Sequence, residues 1–533
     1  MINYTPASQL TLSGFVHPFE QKLSPENRWV KLAQIIPWDA LAAVYSTTLS
    51  SNSGRQSVNV RMVIAALIVK HKLGLDDRGT VAMISENIYL QYFCGLISFQ
   101  TQAPFHPTVF VDIRKRMGAA RFDSWNALII EKADQLKPKN KKTISRPKQD
   151  NDSADHVSSS HKGTLKIDAT VANHKIAYPT DAGLLNDARK QSERLIDALY
   201  KKADGVKKPR DYRRIARTEF LVFSKKRKKT KKEIRKFIRK QLAYLKRNIA
   251  YIETLLDAIE IQRTKQQSLG LFSEIETAYP SLFPLSWQDQ KLYWVLQNIY
   301  LQQRYMYDNK THSVKDRIVN IYQPYIRPIP RGKDKAATEF GAKISASEVD
   351  GMSRVERISF DNFNESTDLK LQVELFKNLY GHYPELVLAD RIYLNRENRK
   401  WLKEKGIRIV GKPLGRPPKE NLNAYHKSKL KKERNQRNLI EGKFGQAKNT
   451  YGLSNIKAKR ADTSESWIGA IFFVMNLLTL SKIAVKYAIF CAFLKIRYQK
   501  IKIIYKNSLN HISFFKHQNF IVTNRQTKRF LLS

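Results

Sequence analysis

At 533 residues the chain is long enough for two to four domains with buried cores. Its 94 Lys and Arg against 48 Asp and Glu leave a net charge of +46, which points to a polyanion as partner. A membrane is set aside: the most apolar region, Trp467–Leu494, is broken by Lys482 and Lys486, so no uninterrupted 18-residue span exists.

The N-terminus lacks the charged and apolar regions of a signal peptide. Cys94 and Cys491 have no zinc-ligand spacing and read as reduced core residues of a cytosolic protein. Residues 1–55 mix turn residues with short apolar runs. Arg61–Lys72 is a strongly apolar helix stopped by Gly74. Asp76–Thr80 reads as a loop with capping residues, Val81–Ile84 opens a second helix, and Ile88–Leu96 is core-like at helical spacing. His106, Pro107 and Thr108 cap Val109–Met117, whose end carries Arg114, Lys115 and Arg116. Short helices with basic ends suit a DNA-binding module; a packing domain without DNA contact fits these residues nearly as well.

Lys137–Lys162 is polar and reads as a solvated linker. Thr164–Ala172 then alternates apolar and polar residues, a strand with Asp168 in its middle. An acid there costs stability unless it is paired or ligating. Asp181 reads as a turn or cap residue. Leu184–Arg304 is predicted mostly helical and holds a dense basic run over Lys225–Lys240, including Lys225, Lys226, Arg227, Lys228 and Lys229. With Phe237, Leu242, Leu245 and Ile249 beside it, the run is expected to form an amphipathic helix whose cationic face contacts DNA backbone.

From Arg317 the pattern turns to strands at Ile318–Tyr322, Phe340–Ser347 and Arg354–Phe360. A helix over Leu369–Leu379 precedes Glu385–Asp390, an apolar run presenting a carboxylate at its C-terminal tip, where active groups of α/β sheets gather. A helix at Asn395–Lys405, a short strand at Ile407–Gly411 and a turn at Gly415–Pro418 follow. Lys427–Arg434 leads into a last helix on which Arg437, Glu441 and Lys448 share a stripe, with Ile440, Phe444 and Ala447 facing a core. A carboxylate between two cations suits a site that holds a metal and grips phosphates; an ordinary surface helix with i,i+4 ion pairs is the alternative. This order of elements implies an α/β layer fold with a mixed sheet that sets Asp168 beside Asp390, with Glu441 packed across them.

Several of these segments together resemble bacterial insertion-sequence transposases of the DDE type, in the group related to insertion sequence five. The likeness rests on Lys166-Ile-Asp-Ala-Thr-Val-Ala172, Arg327-Pro-Ile-Pro-Arg-Gly-Lys333, Glu339-Phe-Gly-Ala-Lys343, Leu388-Ala-Asp-Arg-Ile-Tyr393 and Arg437-Asn-Leu-Ile-Glu-Gly-Lys-Phe-Gly445. It spans roughly residues 55–482. The resemblance implies an RNase H-like catalytic domain, formed by 164–183 and 311–482 and interrupted by a basic helical insert at 184–310. Before it come an N-terminal helical DNA-binding domain (1–136) and a linker (137–163); residues 483–533 form an extension that matches no pattern. By the same resemblance Asp168, Asp390 and Glu441 are the catalytic, metal-holding triad, and Arg437 and Lys448 bind DNA phosphates. Two departures stand out: Arg434 replaces a usual Tyr, and Ile392 replaces a common Gly.

The implied reaction is Mg²⁺-dependent cleavage at the element's ends and strand transfer into target DNA. Two Mg²⁺ per site, with Mn²⁺ as a substitute, suit three carboxylates without His or Cys. The implied partners are double-stranded DNA and further copies of the chain, as a homodimer or larger assembly, in the bacterial cytoplasm. Two rivals are a DNA-binding protein without catalysis and a nuclease of the same fold that never joins strands.

Overall fold

The computed structural model describes residues 2–6, 14–16, 22–50, 56–137, 161–203, 205–268, 283–333, 336–411 and 423–530. Most of the expected linker and the turn expected at Gly415–Pro418 lie outside them.

Helix starts follow the capping residues in the sequence. In α1 (Arg28–Ile35), α3 (Val60–Leu73), α4 (Asp77–Glu86) and α5 (Ile88–Phe93), the side chains of Asn27, Asn59, Asp76 and Asn87 accept first-turn backbone N–H groups. Between the first two lies α2 (Trp38–Ser46). α3 stops at Gly74, where φ of 67° is open to glycine at little cost. Thr108 makes no side-chain cap bond to α6 (Val109–Leu136), which turns sharply at Gly118.

The sheet is mixed. β1 (Thr164–Asn173) lies between β3 (Ala336–Val349), antiparallel to it, and β5 (Leu386–Leu388), parallel to it. β3 also pairs with β2 (Arg327–Lys333) and β4 (Met352–Ser359), both antiparallel, while β6 (Arg408–Ile409) extends the parallel edge. Ile318–Tyr322, expected as a strand, forms none: Ile318 and Ile321 are buried in the neighbouring helical core. Their apolar side chains gave the strand-like pattern without a partner strand to satisfy the backbone.

Between β1 and β2 the chain leaves the sheet for α7 (Asp181–Tyr200), α8 (Arg213–Lys225), α9 (Lys231–Ser268) and α10 (Trp287–Asp308). These close their own core around Leu185, Leu195, Leu245, Ile252, Leu296 and Ile299. Asp181 accepts hydrogen bonds from Gln303 and Arg317 and ties the two ends of this insert together. The basic run is not the single helix expected from it. Lys225 ends α8 and Lys231 begins α9, with Thr230 and Glu233 forming a capping box at the new start. Like charges crowded on successive turns favour this break.

The sheet's flanking helices are α11 (Asp368–Tyr380), α12 (Arg396–Glu404), α13 (Ala424–Thr450) and α14 (Ala461–Phe530). α14 lies along α6: Trp125 and Phe473 are 4.8 Å apart, and Asn476 bonds both Asn126 and the backbone of Ser353 on β4. Arg354 of β4 grips Asp123 of α6 through two hydrogen bonds of 2.7 Å. One hydrophobic core therefore runs from the N-terminal helices through α14 to Ala342, Ile344 and Ala346 of the sheet. Despite Lys482 and Lys486, the part Ala461–Ala492 is long and apolar enough to cross a membrane by length and composition, yet 61% of its most apolar window is buried within the protein. Cys491, expected in a core, is exposed; Cys94 is buried.

Candidate active site

The parallel pairing of β1 with β5 fixes the first relationship. Thr164, Leu165 and Lys166 stand opposite Leu386, Val387 and Leu388. Asp168 follows the last of these pairs by two residues on β1, and Asp390 follows it by two residues beyond β5, so both acids come at the same end of the paired strands. Asp390 sits just past the end of β5, where its carboxylate accepts the N–H of Arg391 and caps the turn Arg391–Tyr393. That turn has no positive φ at Ile392, so its backbone does not call for glycine there.

The third acid comes from α13, which packs across β1 and β5 on Ile440, Phe444 and Ala447. With that face buried, the helical period leaves Arg437 and Glu441 beside the strand ends. The Arg437 guanidinium lies 2.7 Å from Glu441 and 3.7 Å from Asp168, and so stands between two of the acids. Asp168 is the most enclosed of the three. Burial pushes its carboxyl up to about 6, and Glu365 and Glu441 push the same way, against the N–H of Ala169 and the charge of Arg437. Asp390 and Glu441 are exposed.

Glu365, in the turn after β4, carries no periodic signal in the sequence. Only the folded chain reveals it, as a neighbour of both Asp168 and Tyr393. It pairs with Lys343 at 2.9 Å. Lys448 faces Glu339 at 3.5 Å. Asp390, Arg391, Arg434, Asn435, Arg437 and Asn438 share one cleft of about 410 Å³. A larger one, about 710 Å³, opens among the N-terminal helices near Tyr45 and Arg116 and contains none of the three acids.

The first five cations of the basic run lie in the helical insert. Lys225, Lys226, Arg227 and Lys228 are exposed, and Lys229 is half-buried over the ring of Phe223. Lys226 pairs with Glu233.

The donor set of the site, carboxylate oxygens only, suits a hard divalent ion. A cation already stands between Asp168 and Glu441, so the position favours positive charge. Among the described residues, however, no three acids are grouped closely enough to hold a metal as they stand.

Two stretches of the chain match family models. Residues 387–478, which carry Asp390, Arg437, Glu441 and Lys448, match the Transposase DDE domain, and residues 17–116 match a Transposase domain. An uncharacterized protein of Rhizobium meliloti, ORF8 in the nfe locus, is 26% identical over 199 residues, 37% of this chain and 83% of that protein. No solved structure matches the chain.

Proposed function

Starting from a chain similar to bacterial DDE insertion-sequence transposases in both its N-terminal helices and its last sheet-and-helix segment, we propose that it is a transposase, cutting DNA at the ends of a mobile element and joining those ends to target DNA. Its sheet is read as RNase H-like: β2, β4, β3 and β1 are joined antiparallel, then β5 and β6 run parallel to β1, with Asp168 on β1 and Asp390 just past the end of β5. What supports the reading most is the β1–β5 pairing, which brings the strand of Asp168 and the strand that runs up to Asp390 together under the helix that bears Glu441.

Asp168, Asp390 and Glu441 would hold two Mg²⁺, or Mn²⁺ in their place. Bound there, the ions supply an activated water or 3′-hydroxyl and neutralise charge on the phosphorus being attacked. The chain's own residues do the remaining work. Arg437 and Lys448 would hold phosphates beside the acids. Lys225–Lys229 and the N-terminal helices would hold duplex DNA, with two or more copies of the chain bridging the element's ends.

Glu441→Gln tests this reading. The variant should lose Mg²⁺-dependent nicking of DNA bearing the element's inverted repeats while binding that DNA nearly as before. Undiminished nicking removes Glu441 from the mechanism. The rival, a DNA-binding protein without catalysis, draws support from the loose grouping of the acids. A Mg²⁺ titration of nicking on supercoiled plasmid separates the two, and a strand-transfer assay separates a transposase from a nuclease.

A further inference from the structure

Arg437 occupies a position that the proposed metal ions also need. Its guanidinium bonds Glu441 at 2.7 Å and faces Asp168 at 3.7 Å. Asp168 is nearly enclosed, with its side chain 16% exposed, so its charge is poorly served by water and well served by this cation. The same residue lines the cleft shared by Asp390, Arg391 and Arg434. One end of its reach is therefore the acid pair, and the other is a cationic cleft of the kind a phosphate enters.

We propose that Arg437 is a displaceable counter-cation, which holds Asp168 and Glu441 until a DNA phosphate in the cleft draws it away and opens the acids to divalent ions. The inference rests on the reading of these acids as metal ligands. A guanidinium stays charged at any working pH and binds carboxylate and phosphate with the same planar fork, so it can pass from one to the other without a proton changing hands. A divalent ion cannot join the acids while the guanidinium lies between them, because the two cations repel each other and compete for the same oxygens. Binding of DNA and of the ion is then coupled, each raising the affinity of the other by one and the same factor. The loose grouping of the acids is explained on this basis: it is the arrangement held by arginine, before exchange.

The test is Mn²⁺ binding to the full-length protein, followed by the electron paramagnetic resonance signal of free Mn²⁺, with and without a short duplex. The wild type should bind Mn²⁺ weakly alone and about tenfold more tightly with duplex, within the usual range of coupling between sites. Arg437→Gln should bind Mn²⁺ about tenfold more tightly than wild type without DNA, with little further gain from duplex. Arg437→Lys, which keeps the charge, should stay weak. Arg434→Gln removes the same charge from the same cleft without touching the acids and should change affinity less than about twofold. If Arg437→Gln binds no more tightly than wild type, or Arg434→Gln gains as much, the exchange is refuted while the metal site stands. If Glu441→Gln and Asp168→Asn bind Mn²⁺ as wild type does, the site reading itself fails and the inference with it.

Discussion

Lys70 of α3 holds its ammonium 4.6 Å from the ring centre of Trp467, a residue almost 400 positions later on α14. The same nitrogen bonds Asp77 at 2.8 Å and the carbonyl of Leu75 at 3.1 Å, and the lysine side chain is 1% exposed. Arg114 clasps Asp77 with two further hydrogen bonds and also lies over Trp467. The first helices and the last are thus joined by a buried charge cluster, and Arg114, one of the three basic residues that suggested a DNA-binding helix end, acts inside the protein.

Removing Asp77 would strand a buried ammonium. Asp77→Ala should cost about 3–5 kcal/mol, the usual penalty for breaking a buried pair from one side. Urea unfolding measures it. The double variant Asp77→Ala/Lys70→Met should recover most of the loss, since the buried charge goes with its partner. A double variant as unstable as the single one would show that the cluster does not work through Lys70.

His71 gives the same region a pH dependence. Burial, then the charges of Lys70 and Arg114, push its imidazole down to about 3, against the weaker pull of Asp77. A histidine depressed on folding is stabilising while neutral, so stability is complete above the unfolded value near 6.5 and falls as pH drops toward 3. Between pH 6.5 and 4 this one group should remove about 3 kcal/mol. Thermal unfolding at stepped pH should show the slope in wild type and a flatter profile in His71→Gln. Equal profiles would assign the acid sensitivity elsewhere.

Glycine at 341 is fixed by the approach of β3 to β1. A Cβ there would meet the carbonyl oxygen of Ala172 at 1.9 Å, against backbone that cannot rotate away. Gly341→Ala should therefore destabilise by about 3 kcal/mol or more. Gly445→Ala on α13, where a Cβ meets nothing within 4 Å, should be neutral or stabilising by about 0.5–1 kcal/mol. Midpoints of chemical unfolding compare the two, and a tolerated Gly341→Ala would mean that the strands can part there.

For the basic turn the expected readout is salt dependence. Lys226 is engaged by Glu233 and Lys229 lies over Phe223, which leaves Lys225, Arg227 and Lys228 as the exposed candidates for phosphate contact. Replacing all five cations by Gln should reduce the slope of log K against log salt by about 3, near 0.9 per phosphate released. An unchanged slope would place the DNA elsewhere.

Much of the fold was legible in local sequence. Asp76 marks a helix start and Gly74 an end, because capping is satisfied within a few residues of the chain. Asp168 and Asp390 stood out as acids within or at the tip of apolar strand segments, and Ile440, Phe444 and Ala447 named the buried face of their helix before any neighbour was known. Ile318–Tyr322 misled for the converse reason: a short apolar run is buried equally well in a helical core, and local pattern does not say which.

What the amino-acid order determined alone was the set of chemical groups and the faces on which they lie: three acids, two signature cations, a basic insert, and helices with marked ends. Which groups meet was decided by the tertiary structure. The register of β1 with β5, the seating of Arg437 between Asp168 and Glu441, the nearness of Glu365, and the Lys70–Trp467 contact all join residues far apart in the chain. Their energies depend on burial and on the partner's position, quantities that exist only once the sheet and helices have closed around them.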